Sequence, residues 1–174
     1  MLLGAVLLVG GGAALTRFVR RSDVLAGSSQ RAFNAEQFAL LEQVCEVIIP
    51  TTDTPGAIGA GVPAFMRQIL EDWGTENSRT EIGSILEAVE KRAWSKFGAA
   101  FLELAPERRL EVIAAFDAER IAAKDPAYSK FKHLVLVGYY QSEIGATREL
   151  RYELVPGAWR PCVPLSEIGR ASAV

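Results

Sequence analysis

The sequence predicts an all-α fold, a bundle of about five helices that ends in an extended C-terminal arm. Three observations predict it. Apolar residues recur at helical spacing from about residue 34 to residue 140. No segment shows a sustained alternation of period two, and there is no internal repeat. The last stretch is crowded with aromatics and prolines, which cannot continue a helix.

Residues 1–15 are apolar and carry no charge. As a helix they would extend about 22 Å, short of the ~30 Å hydrocarbon core of a membrane. That length suits the apolar region of a secretory signal. The basic residues Arg17, Arg20 and Arg21 follow the run instead of preceding it. The segment therefore reads as an atypical or truncated signal. A short anchor is the alternative, and its positive C-terminal flank would favour a cytoplasmic domain. Residues 22–33 read as a linker. The domain organisation is then a signal-like or anchor-like segment and linker over 1–33, a helical domain with its arm over 34–165, and a tail over 166–174.

Asn34 can cap the first domain helix, with Gln37 completing a capping box. Phe38, Leu41, Cys45 and Ile48 then fall on one face, widened by Leu40, Val44 and Val47. Cys45 reads as a small buried hydrophobe. Pro50 ends the helix, and residues 51–61 form a loop. Its glycines run G-x-x-G-x-G after a helix, which is not the dinucleotide fingerprint. Pro63 suits the first turn of helix two, with Phe65, Ile69, Leu70 and Trp73 as its apolar face. After a break at 74–78, helix three runs from about Thr80 to Phe101 on Ile82, Ile85, Leu86, Val89, Ala93 and Phe97. Gly98 bends or divides it. Pro106 opens helix four, with Leu110, Ile113, Ala114 and Phe116 inward. Helix five carries Tyr128, Phe131, Leu134, Val135 and Gly138. It ends at Ser142-Glu-Ile-Gly145, with Gly145 as a left-handed cap. The extended arm follows.

Net charge is −2, with 19 basic and 21 acidic residues. That balance argues against an electrostatic nucleic-acid binder. Two cysteines, Cys45 and Cys162, and one histidine, His133, lie far apart in sequence and in no metal-ligand spacing. No Cys-x-x-Cys-His haem attachment site occurs. His133 has no paired nucleophile or acid in an obvious motif and reads as a core or surface histidine. Neither a catalytic residue, nor a cofactor-binding residue, nor a metal ligand is assigned. Glu143 is instead expected to bridge to Arg148 or Arg151 and pin the arm to the domain. Trp94 reads as core or interface material.

The C-terminal stretch carries Gly138-Tyr-Tyr-x-Ser-Glu-Ile-Gly-Ala-Thr147, then Leu150-Arg-Tyr152, Val155-Pro-Gly157 and Pro161-Cys-Val-Pro-Leu165. Nearer the start stand Val47-Ile-Ile-Pro-Thr51, Asp53-Thr-Pro-Gly-Ala57 and Val62-Pro-Ala-Phe65. Together these resemble the gluconate 2-dehydrogenase small (gamma) subunit family over roughly residues 35–165. The resemblance implies a non-catalytic helical subunit. Its implied partner is a large FAD-dependent sugar or sugar-acid dehydrogenase of the glucose-methanol-choline type, often with a multihaem cytochrome c subunit as a third. Its implied work is chaperone-like: to bind, stabilise and help export that partner to the periplasm, at the cytoplasmic membrane. Relatives commonly begin with a twin-arginine signal, and here Arg20-Arg21 stands on the wrong side of the apolar run.

The arm is where function is expected to lie, because aromatics and arginine dominate interfaces. Tyr139, Tyr140, Tyr152, Trp159, Arg160 and Cys162 are the expected partner-facing residues. Self-packing onto the helices is the competing reading for each. Cys162, between two prolines, is expected to be exposed and is the candidate for an intersubunit disulfide; pairing with Cys45 is the alternative. A different class of reading, a membrane-anchored helical protein that works without a redox partner, also stands at this point.

Overall fold

The computed structural model describes residues 32–155, 157 and 162–173. The apolar run at 1–15, the linker to residue 31, and Trp159 and Arg160 lie outside the described residues. Residues Arg31–Val174 form one unit. Its order is α1 (Ala35–Ile48), α2 (Val62–Asp72), α3 (Glu76–Phe97), a 3₁₀ turn (Phe101–Glu103), α4 (Pro106–Ala122), α5 (Pro126–Tyr140), a π-helical turn (Gly145–Glu149) and a short α6 (Leu165–Ile168). The predicted bundle of five long helices is the observed architecture.

Each long helix starts where a side chain satisfies a free N–H group or a proline removes one. Asn34 accepts from the Gln37 amide at 2.8 Å, and the Gln37 side chain accepts from the Asn34 amide at 3.1 Å. Thr75 accepts from the Ser78 amide at 3.1 Å, which starts α3 four residues before the expected position. Pro63 and Pro106 lie in the first turns of α2 and α4. Asp125 takes the Tyr128 and Ala127 amides at the head of α5. Those two amides, with Arg120, hold its carboxyl below the usual range. Gly98, at φ 66°, ends α3 as a left-handed cap, so the expected helix to Phe101 divides there.

The core is continuous through all five helices. Leu41, Val44 and Cys45 of α1 meet Val62 and Met66 of α2, and Leu86, Val89 and Ala93 of α3 join them. Val112 and Phe116 of α4 and Phe131 and Val135 of α5 complete it. The Cys45 sulfur lies 3.8 Å from that of Met66. Helix α5 packs on α2 at Gly138, where a Cβ would stand 2.8 Å from the Phe65 ring.

Two faces differ from expectation. On α2, Trp73 is 83% exposed, because it sits at the C-cap where the helix ends, and Met66 takes the buried place. On α4, Leu110 and Ala114 face out and Val112 faces in. Ile113 and Phe116 are buried as expected, and the Arg109 guanidinium also turns inward, donating to the Gln43 side chain and the Leu102 carbonyl, each at 2.5 Å. A pattern that places every charge outside cannot anticipate it.

The opposite facing of Val112 and Leu110 predicts contrasting stabilities. Val112→Ala removes two buried methyl groups and should lower unfolding free energy by roughly 2 kcal/mol. Leu110→Ala should change it by less than about 0.5 kcal/mol. Urea titration of both variants checks this; equal losses would restore the expected face.

Candidate partner interface

The loop between α1 and α2 is not a slack connector. Glu46, in the last turn of α1, turns its carboxylate onto it. One oxygen accepts from the Thr51 amide at 3.0 Å and the Thr51 hydroxyl at 2.7 Å. The other accepts from the Ile58 amide at 2.9 Å. Thr51 Oγ1 in turn accepts from the Gly56 amide at 2.9 Å, and the Ala57 amide donates to the Ile49 carbonyl at 2.9 Å. Ala57 is thereby drawn fully into the core. Gly56 has no room for a side chain: a Cβ would lie 2.5 Å from both Glu46 Oε1 and the Thr51 nitrogen. The outer residues, Thr51 to Asp53 and Ile58 to Gly59, remain exposed.

The end of α5 is stitched to this loop. The Tyr139 hydroxyl donates to the Pro55 carbonyl at 3.0 Å. Thr54 Oγ1 sits 3.4 Å from that hydroxyl and donates to Glu149 at 3.3 Å. Past Tyr140 the chain reverses. The Ser142 hydroxyl donates to the Tyr139 carbonyl at 2.6 Å and accepts from the Gly145 amide at 3.0 Å. A π-helical turn follows, with Leu150 N donating to the Gly145 carbonyl at 2.9 Å. The two motif-bearing stretches, far apart in sequence, thus meet at one junction.

Gly145 is needed here for a reason other than the expected one. It does not adopt a positive φ. It is buried, and a Cβ would stand 2.1 Å from the Tyr139 carbonyl oxygen and 3.0 Å from the Tyr140 Cα. Close backbone approach, not left-handed geometry, excludes a side chain.

The expected interface residues separate into groups. Tyr139 is 3% exposed and belongs to the core, because its hydroxyl is consumed by the loop carbonyl. Tyr140 is half-exposed and packs edge-on against Tyr139, ring centroids 5.4 Å apart. Tyr152 stands out in solvent, and so do Leu154 and Val155, which the aromatic emphasis passed over. Leu165 joins them among the exposed large apolar residues. Cys162 is exposed and free. Cys45 is free and buried, and burial pushes its thiol up, away from the reactive thiolate. His133 is exposed.

The arm is pinned, but not by Glu143. Among the described residues no ion pair joins Glu143 to Arg148 or Arg151. Arg151 pairs with Glu153 at 3.2 Å instead. The backbone does the pinning: Arg151 N donates to the Ala171 carbonyl at 2.8 Å, and Ala173 N donates to the Arg151 carbonyl at 2.9 Å. The Arg170 guanidinium donates to the Arg148 carbonyl. Part of the expected tail, residues 171–173, is therefore what closes the arm, through an isolated bridge between Arg151 and Ser172. Peptide groups need no special side chain to pair, so nothing in the sequence marked this contact. Glu46 did leave a signal: a carboxylate in the last turn of a helix faces the negative end of its dipole. Such a residue needs donors from the chain that follows.

Among the described residues no group of three or more histidine, cysteine or acidic side chains is gathered as for a metal, and no helix is long and apolar enough to cross a membrane. The fold and the junction define a small helical domain that holds a loop and a turn rigidly together beside an exposed apolar arm. The family model for gluconate 2-dehydrogenase subunit 3 matches residues 35–157, from the first residue of α1 into the arm, and the chain belongs to that family. No curated protein and no solved structure matches it.

The junction makes two substitutions informative. Gly145→Ala should cost about 1–3 kcal/mol, since the added methyl strikes backbone that cannot step aside. Glu46→Gln places an amide donor against amide donors. Hydrogen exchange at Thr51 and Ile58 should then quicken while the core amides stay protected. Unchanged exchange in that variant would mean the carboxylate does not organise the loop.

Proposed function

We propose that this chain is a non-catalytic subunit that binds, stabilises and helps export a large FAD-dependent sugar or sugar-acid dehydrogenase. Family membership supports a place in a dehydrogenase complex. The observation that carries the binding role is the arm. Tyr152, Leu154, Val155 and Leu165 are 54–79% exposed, on a segment tied down at both ends. A chain that leaves this much apolar surface in water gains by covering it. The exposed outer residues of the Thr51–Gly61 loop and half-exposed Tyr140 extend the same contact.

In this reading the flavin and the substrate site belong to the large subunit, and haem c to a third. The small subunit acts by binding only the native partner, which stabilises it by mass action. Export of the folded, flavin-loaded pair to the periplasm follows, with membrane association through the complex. Cys162 is the thiol on this surface that can cross-link the two subunits. Forming that disulfide removes two electrons and two protons from the paired thiols, which the oxidising compartment accepts.

Co-purification tests the proposal. The chain, tagged at its C-terminus in its native host, should bring down a flavin-coloured large subunit that reduces a dye with sugar. Leu154→Asp with Val155→Asp should lower recovery of that subunit at least about tenfold without shifting the unfolding midpoint of the small subunit. On a non-reducing gel, wild type should give a heavier band that Cys162→Ser abolishes. Recovery of the chain alone, colourless and inactive, would overturn the accessory role.

A further inference from the structure

A second surface shares no residue with the junction or the arm. It is an apolar groove of about 400 Å³ between the start of α1, the middle of α3 and the 3₁₀ turn. Its floor is Leu40, Leu86 and Leu102, and Trp94 forms one wall while remaining 54% exposed. Glu87, Glu90, Lys91 and Trp94 fall three, one and three residues apart in succession, so they make a single outward stripe of α3.

The charges around it are unequal. Glu36, Glu87 and Glu90 face one amine, Lys91. Glu90 accepts from the Phe101 amide at 3.3 and 3.2 Å, which fixes it at the rim. Among the described residues Glu36 and Glu87 make no ion pair and no side-chain hydrogen bond. The groove therefore combines an uncovered apolar floor, a tryptophan and two carboxylates that make no ion pair.

We propose that this groove docks a short cationic amphipathic segment of another protein. An apolar side chain of that segment lies on the leucine floor beside Trp94, and flanking Arg or Lys side chains meet Glu36 and Glu87. The floor and tryptophan select an apolar group, because a bare cation would leave both in water. The carboxylates select positive charge beside it, and the indole face reinforces that choice through cation–π attraction. An acidic or neutral apolar segment satisfies only half of the surface. The inference stands whether or not the dehydrogenase is the bearer of that segment.

The test uses the full chain carrying Trp73→Phe and Trp159→Phe, which leaves Trp94 as the single tryptophan of the original three. The probe is a synthetic amphipathic helix of leucine and lysine, with the same peptide bearing glutamate for lysine as comparison. The lysine peptide should give a saturable blue shift of Trp94 emission that weakens as salt is raised. Glu36→Gln with Glu87→Gln should weaken it at least about tenfold, with an unchanged unfolding midpoint. Three results would each overturn the proposal: no saturable shift, equal binding of the glutamate peptide, or full affinity in the double glutamine variant.

Discussion

A carboxylate at the unfavourable end of a helix governs the outward face of this domain. Glu46 sits in the last turn of α1, where the helix dipole disfavours it by roughly 0.3–1 kcal/mol. It is retained there because three donors of the following loop converge on it: the Thr51 amide, the Thr51 hydroxyl and the Ile58 amide. Charge-assisted bonds of this kind are about twice as strong as neutral ones, so the loop outweighs the dipole. Once Thr51 and Ile58 are fixed, Ala57 drops into the core and the Pro55 carbonyl is presented to Tyr139.

That presentation ties the first half of the domain to the last. Tyr139 is buried at the end of α5, and its hydroxyl is aimed at a backbone carbonyl of the loop. The chain then reverses within a few residues, through Ser142 and a glycine that tolerates no Cβ. Tight reversal matters because it decides where the arm emerges. Arg151 leaves the turn beside residues 171–173, and two backbone bonds close the arm there. The apolar side chains between those ends are thus displayed in a fixed region while remaining uncovered. Such an arm has already lost part of its conformational entropy before a partner arrives, which lowers the ordering cost of association.

The two apolar surfaces differ in character. The arm carries the exposed aliphatic side chains of Leu154, Val155 and Leu165, suited to lying across a broad partner. The α1–α3 groove is concave, bordered by acid, and lined by helices whose positions the core holds. Its rigidity comes from the inner face of the same α3 turns, where Leu86, Val89 and Ala93 are packed against the other helices. One helix can serve both because its inward and outward stripes are separated by the 3.6-residue period.

By itself the sequence determined the fold class, the five helices, the capping box at Asn34, the apolar stripes of α1 and α3, and the family. These are local or periodic properties, written in neighbouring residues and in residues three or four apart. It placed Ile113 and Phe116 of α4 inward but not Val112, and it did not foresee the inward turn of Arg109, which finds its acceptors on α1 and on the 3₁₀ turn. It placed Tyr139 at an interface, whereas a loop some eighty residues earlier in the chain takes its hydroxyl into the interior. It assigned the pinning of the arm to Glu143, whereas peptide groups of the tail do it. In each case the deciding partner is a polar group remote in the chain. Hydrophobic periodicity says which residues leave water, but only the tertiary structure decides which buried polar groups find each other.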